Sequence, residues 1–209
     1  MGASQECELS DILPSKEFVP DEFNYLGPDR GTKIHPAKNQ AAETAFEAYV
    51  VDKYTLPSGP KQFQGRVQTG ARLTREKTVT SETIDNHHEM LLWAAFNGNE
   101  PSTEYFTEWC DVELSDDVVD GYRRSEFFFR EPQTQQWPND QTAASKPYRE
   151  YAAILQSTDW GVLEVEVERN DVNEHWETRR VAQQLMTRMQ HIATVSARPT
   201  DPAALDDEE

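Results

Sequence analysis

The stretch CDVELSDDVVDGYRRSEFFFRE, residues 110–131, holds an Asp-Gly pair between two alternating segments. Asp120-Gly121 suits a two-residue turn in which both residues take positive φ, and such a turn matches the twist of an antiparallel hairpin. Counting outward pairs Val119 with Tyr122, Asp117 with Arg124, Leu114 with Phe127, Val112 with Phe129, and Asp111 with Arg130. Apolar residues then face apolar ones and acids face bases, each match contributing about 0.2–1 kcal/mol. A slip of one residue loses both kinds of match. Phe127, Phe128 and Phe129 place rings on both faces of the second strand, which is therefore predicted to be covered on both sides.

A second alternating segment, GVLEVEVERND, spans residues 161–171. Leu163, Val165 and Val167 point one way, and Glu164, Glu166 and Glu168 the other. With YREYAAILQST before it and a turn at Asp159-Trp160-Gly161, it predicts another hairpin. A left-handed Gly161 sets Leu155 opposite Val165 and Ala153 opposite Val167. The glutamate row has three readings: a solvated acidic face, a metal site, or a surface that copies nucleic-acid charge. Carboxylates two apart on a strand stand about 6.5–7 Å from one another. That is too wide for one cation without a further element. Asp159 and Glu164 imitate the acids of a nuclease, but Glu166 stands where that chemistry needs a lysine. The solvated face is the expectation.

Three helices are predicted. Pro36 opens the first, over 36–54, with Ala42, Ala45, Phe46, Tyr49, Val50 and Lys53 at helical spacing and LPSGP as its stop. Asn86 and Glu89 form a capping box for the second, over 86–96, which Asn97-Gly98 ends. The third runs over about 171–195, capped by Asn170 or Asp171. Its stripe is Val172, Trp176, Val181, Leu185, Met189 and Ile192. QFQGRVQTGARLTREKTVT, residues 62–80, reads as two strands around Gly70.

Residues 1–35 are broken by prolines yet carry Leu9, Ile12, Leu13, Phe18, Val19, Phe23, Tyr25 and Leu26. They form an extended arm that docks on its own domain or on a neighbouring subunit. Residues 132–147 make a long polar loop containing Trp137, a possible interface anchor. Residues 36–196 form a single domain, and 197–209 a disordered acidic tail.

The charge narrows the function. Thirty-eight acids against 7 Lys and 13 Arg give a net −18. At about 1 M salt the Debye length falls to about 3 Å and self-repulsion fades. Acids spread along the whole chain, with few lysines, suit a protein of a salt-loving organism. Without a basic cluster to displace counterions, direct binding to a nucleic-acid backbone is disfavoured and is not expected. Cys7 and Cys110 make no disulfide framework. No apolar run reaches a membrane span, and the first residues lack a signal-peptide core, so the expected location is the cytoplasm or a particle assembled there. His87 and His88 are adjacent and point about 100° apart on a helix, a poor metal pair. Nucleophile, phosphate-loop and dinucleotide motifs are absent.

The fold expected is α+β: a mainly antiparallel sheet of about six strands with three packed helices and the N-terminal arm. Such an arrangement is compatible with neck and tail proteins of tailed viruses, an analogy of architecture alone. The expected role is a non-enzymatic assembly protein, a virion component of a salt-loving host, working by self-association or with other assembly proteins. Its candidate interface residues are Phe18, Phe23, Tyr25, Phe128 and Trp137. No cofactor and no membrane partner are expected. The alternatives are an acidic decoy for a nucleic-acid-binding protein and a metal-dependent hydrolase using Glu164, Glu166 or His88.

Overall fold

The computed structural model describes residues 7–31, 46–56, 65–74, 84–85, 111–132, 148–172, 177–196 and 198–199. Among the described residues, seven strands form one antiparallel sheet: β1 (Asn24–Gly31), β2 (Phe46–Thr55), β3 (Gly65–Thr74), β4 (Asp111–Val119), β5 (Tyr122–Pro132), β6 (Tyr148–Ser157) and β7 (Gly161–Val172). Their order is β1-β2-β3-β7-β6-β5-β4. Two meanders, β1-β2-β3 and β4-β5-β6-β7, are thus joined where β3 pairs with β7. Helix α1 (Glu177–Val195) packs on β6 and β7.

This overturns the expected three helices on about six strands. Residues 46–54 of the first predicted helix fall in β2, and residues 36–45 lie outside the described residues. The cause is a shared period. Val50 and Tyr54 are four apart, a spacing that puts them on one side of either a helix or a strand. Both are buried, with the half-buried Asp52 between them, as a strand dictates. The run FEAYVVDKYT is rich in aromatic and β-branched residues, and pairing on both sides decides in favour of a strand. The second predicted helix, 86–96, lies outside the described residues.

Gly70 is not a turn but the middle of one continuous strand, β3, directly opposite Glu164. The third predicted helix starts late. Asn170 and Asp171 belong to β7, and α1 begins at Glu177. Its N-terminus is capped from outside, because the Thr178 N–H donates to Glu150 Oε2 at 3.1 Å. Glu150 is 1% exposed, and its other oxygen lies 3.4 Å from Arg130 Nε. A carboxylate there meets both the open N–H groups and the positive end of the helix dipole. The buried face of α1 is Ala182, Leu185, Met186, Met189 and Ala193, with Val181 and Ile192 packed at its margin.

The 110–131 hairpin folds in the predicted register, with all five pairs in place. Asp120 and Gly121 have φ of 54° and 85°, as the turn requires. The Phe127–Phe129 run is buried on both faces. The β6–β7 hairpin is one residue out of the predicted register: Ile154 faces Val165, and Leu155 faces Glu164. The turn explains the slip. Thr158 Oγ1 accepts the N–H groups of Trp160 at 3.2 Å and Gly161 at 2.9 Å, and the Thr158 N–H donates to the Gly161 carbonyl at 2.8 Å, which moves the loop back by one residue. Gly161 is therefore a strand residue.

The larger core lies on the α1 side. It joins Val67, Ala71 and Leu73 of β3 and Leu163, Val165 and Val167 of β7 to α1. Leu9 and Ile12 on a short 3-10 turn, Leu13 just after it, and Val19 and Phe23 after a second turn at Lys16–Phe18 complete it. The described part of the arm is therefore docked on its own sheet. A smaller cluster on the opposite face gathers Phe127, Phe129, Tyr151, Leu155 and Val162 beneath Ile84.

Gly161 offers a test of the β3–β7 junction. A β-carbon there would stand 1.8 Å from the Arg72 carbonyl oxygen, so the strands must separate to admit it. Gly161→Ala is expected to cost at least about 1–3 kcal/mol in urea unfolding.

Candidate functional site

A cluster of paired charges lies on the sheet face away from α1, across β3, β7 and β6. It contains the glutamate row. Glu164 and Glu166 are 7% and 8% exposed, so this is no solvated face. Strand register supplies the partners. Arg72 Nη2 and Nε stand 2.6 and 2.9 Å from Glu164 Oε2. Arg66 Nη2 reaches Glu166 at 3.6 Å, and Arg66 Nε reaches Glu168 at 3.1 Å. Arg149 Nη2 meets Glu168 from the other side at 2.8 Å. Three carboxylates thus meet three guanidiniums. Gly70 leaves the space over which the Glu164 carboxylate lies, 3.6 Å from where a β-carbon would stand.

Burial works to lower the Arg72 pKa, but the charge and hydrogen bonds of Glu164, with Glu166 and Tyr49, together hold it above its usual value. Burial pushes the Tyr151 hydroxyl well above the usual tyrosine range, and Glu166, its hydrogen-bond partner, adds to the shift. These groups keep fixed protonation states across neutral pH. The cluster therefore ties strands in register and leaves Glu164 and Glu166 poorly placed for acid–base or metal chemistry. Among the described residues, no group of three or more His, Cys, Asp or Glu is placed to hold a metal ion. His88 and Trp137 lie outside the described residues.

The proposed interface residues separate. Phe23 and Phe128, 1% and 2% exposed, are consumed by the core. Phe18 is 42% exposed beneath the Arg188 guanidinium, 4.5 Å from its ring centre. Tyr25 is 44% exposed, donates to Asp52 Oδ1 at 3.0 Å and packs on Tyr54 with ring centres 5.1 Å apart.

A stronger candidate surface is one the sequence reading did not single out, the β4 edge. The two ends of the sheet differ. β1 carries a bulge between Tyr25 and Gly27, followed by Pro28, features that blunt an edge. β4 is a regular strand of nine residues without Gly or Pro. Leu114 and Val118 share one of its faces and are 57% and 72% exposed. Two of its four acids have arginine partners: Glu113 has Arg179 at 2.6 Å, and Asp116 has Arg123 at 2.6 Å. The signal was present in VELSDDVV as apolar residues at period two, but a sequence does not reveal which strand ends a sheet.

Comparison with known proteins finds no family model that matches this chain and no similar curated protein.

Two predictions follow from the buried charges and phenols. Arg72→Met leaves Glu164 buried without its main partner, so a loss of about 3–5 kcal/mol is expected in urea unfolding. Adding Glu164→Leu should recover most of that loss, and a double-mutant cycle measures the coupling. Burial, with Asp52 and Tyr25, raises the Tyr54 pKa from 10.0 to about 12. The folded state therefore holds this proton more tightly than the unfolded state. Tyr54 contributes its full stability below pH 10, and that contribution declines as pH rises through about 12. An alkaline titration of unfolding should show a shallower decline for Tyr54→Phe.

Proposed function

We propose that this chain is a non-enzymatic assembly protein that joins a second copy of itself along β4. At a finer level we propose a virion component of a salt-loving host; the support for that step is the acid-rich composition. The observation that carries the reading is the exposed, regular β4 edge with Leu114 and Val118 on one face.

The edge complements itself. In an antiparallel pairing centred on Asp116, Leu114 of one copy meets Val118 of the other, and Val118 meets Leu114. Glu113 then faces Val119, and Ser115 faces Asp117. The one like-charged pair is Asp116 with its counterpart, and each carboxylate already has its own Arg123. Such a pairing continues the sheet across the interface and satisfies the backbone groups of the edge. The net −18 opposes association in dilute buffer, and salt screens that repulsion.

The decoy reading needs an uncompensated stripe of carboxylates, whereas Glu113 and Asp116 on β4 and Glu126 on β5 have arginine partners. The hydrolase reading needs Glu164 and Glu166 released from Arg72 and Arg66.

Light scattering on size-separated protein, from about 0.1 M to about 2 M KCl, tests the proposal. The expected mass doubles as salt rises, and Leu114→Lys with Val118→Lys keeps the chain monomeric throughout. A monomer at every salt concentration, or a double variant that still pairs, overturns it.

A further inference from the structure

A second feature, independent of the β4 edge, is the charge carried by α1. Residues 178–200 hold no Asp or Glu, although 38 acids among 209 residues would place about four in a stretch of that length. Residues 53–75 are equally free of acids, but Arg66 and Arg72 within them are engaged by the glutamates of β7.

The polar side chains of α1 divide between two sides. One flank meets acids of β4, β5 and the turn between them. Arg179 donates to Glu113 at 2.6 Å, Gln183 to Glu126 at 3.1 Å, and Gln190 to Asp120 at 3.1 Å. Those contacts explain why that flank carries no acid. The other side is the exposed stripe of Arg180, Gln184, Thr187, Arg188 and His191, which recur at helical spacing. The helix dipole disfavours acids in the last turn but favours them in the first, so it leaves the stretch from Arg180 to Arg188 unexplained.

Arg188 is presented outward. Its guanidinium lies over the Phe18 ring, 4.5 Å from the ring centre, and among the described residues no carboxylate is paired with it. Stacking covers one face of the planar group and leaves its N–H edge, the part that grips a carboxylate through two bonds. Phe18, 42% exposed, adds apolar surface beside that edge. Arginine and aromatic side chains are the types that dominate binding energy at interfaces. Arg180 lies eight residues away, about 12 Å along the helix.

We infer that the outer face of α1 docks an acidic protein segment, with carboxylates on Arg180 and Arg188 and an apolar side chain against Phe18. Charge complementarity selects this partner, because the stripe offers cations and no acid on a chain of net −18. The spacing suits carboxylates about eight residues apart on a helix or about four apart on a strand. Two arginines neutralise too few phosphates to hold a nucleic-acid backbone.

Fluorescence anisotropy of labelled poly-L-glutamate of about 20 residues, titrated with the full chain in about 0.1 M KCl, tests this. Saturable binding is expected. Arg180→Gln with Arg188→Gln should weaken it about fivefold, as the loss of two exposed ion pairs implies. Asn24→Asp with Leu26→Glu changes the net charge equally at exposed sites of β1 and should bind as the parent chain does. Circular dichroism checks that each variant is folded. Should the arginine pair fail that check, Arg188→Gln alone is expected to weaken binding about twofold. No saturable binding, unchanged binding by the folded arginine variant, or an equal loss in the β1 variant overturns the proposal. Single-stranded DNA of the same length binding as tightly as the peptide overturns it too.

Discussion

Strand β7 is covered on both faces yet carries a carboxylate at every second position. Everything else in the sheet accommodates that fact. An unpaired buried carboxylate is too costly to keep charged. The strand therefore sits only where both neighbours supply guanidinium groups at matching heights. β3 brings Arg66 and Arg72, and β6 brings Arg149. The opposite face of the same strand gives Leu163, Val165 and Val167 to the main core. One element thus fixes the register of two neighbours by charge on one side and by packing on the other, and it joins the two meanders.

This arrangement also sorts charge between inside and outside. Arg66, Arg72, Arg130 and Arg149 are engaged with acids on the sheet faces. These clusters match guanidiniums with carboxylates one for one, so the net −18 is carried by the rest of the chain. Salt acts differently on the two populations. It screens exposed carboxylates strongly and buried pairs weakly. Added salt therefore lessens repulsion between copies without loosening the sheet, and the association proposed along β4 is expected to strengthen with salt.

Readability differed from element to element for identifiable reasons. The β4–β5 hairpin was fully specified locally, because Asp120-Gly121 fixes the turn and the side-chain pattern fixes the register. The β6–β7 hairpin lacked such a turn. Thr158 drew Gly161 into the ladder and shifted the register by one, so Leu155 changed faces. In the stretch 46–55, Val50 and Tyr54 satisfied helical and extended spacing alike, and only β1 and β3 beside them broke the tie.

From its sequence alone this chain determined one hairpin with its register, a strand with apolar and acidic sides, an amphipathic C-terminal helix, and an excess of negative charge. Those features depend on neighbours within a few residues, where turn chemistry and side-chain period act directly. The tertiary structure alone decided that the acidic side would be buried and that β4 would end the sheet. Each of these depends on which distant segment lies alongside, Arg72 against Glu164 above all. The energy of such a contact exists only once the chain has closed on itself.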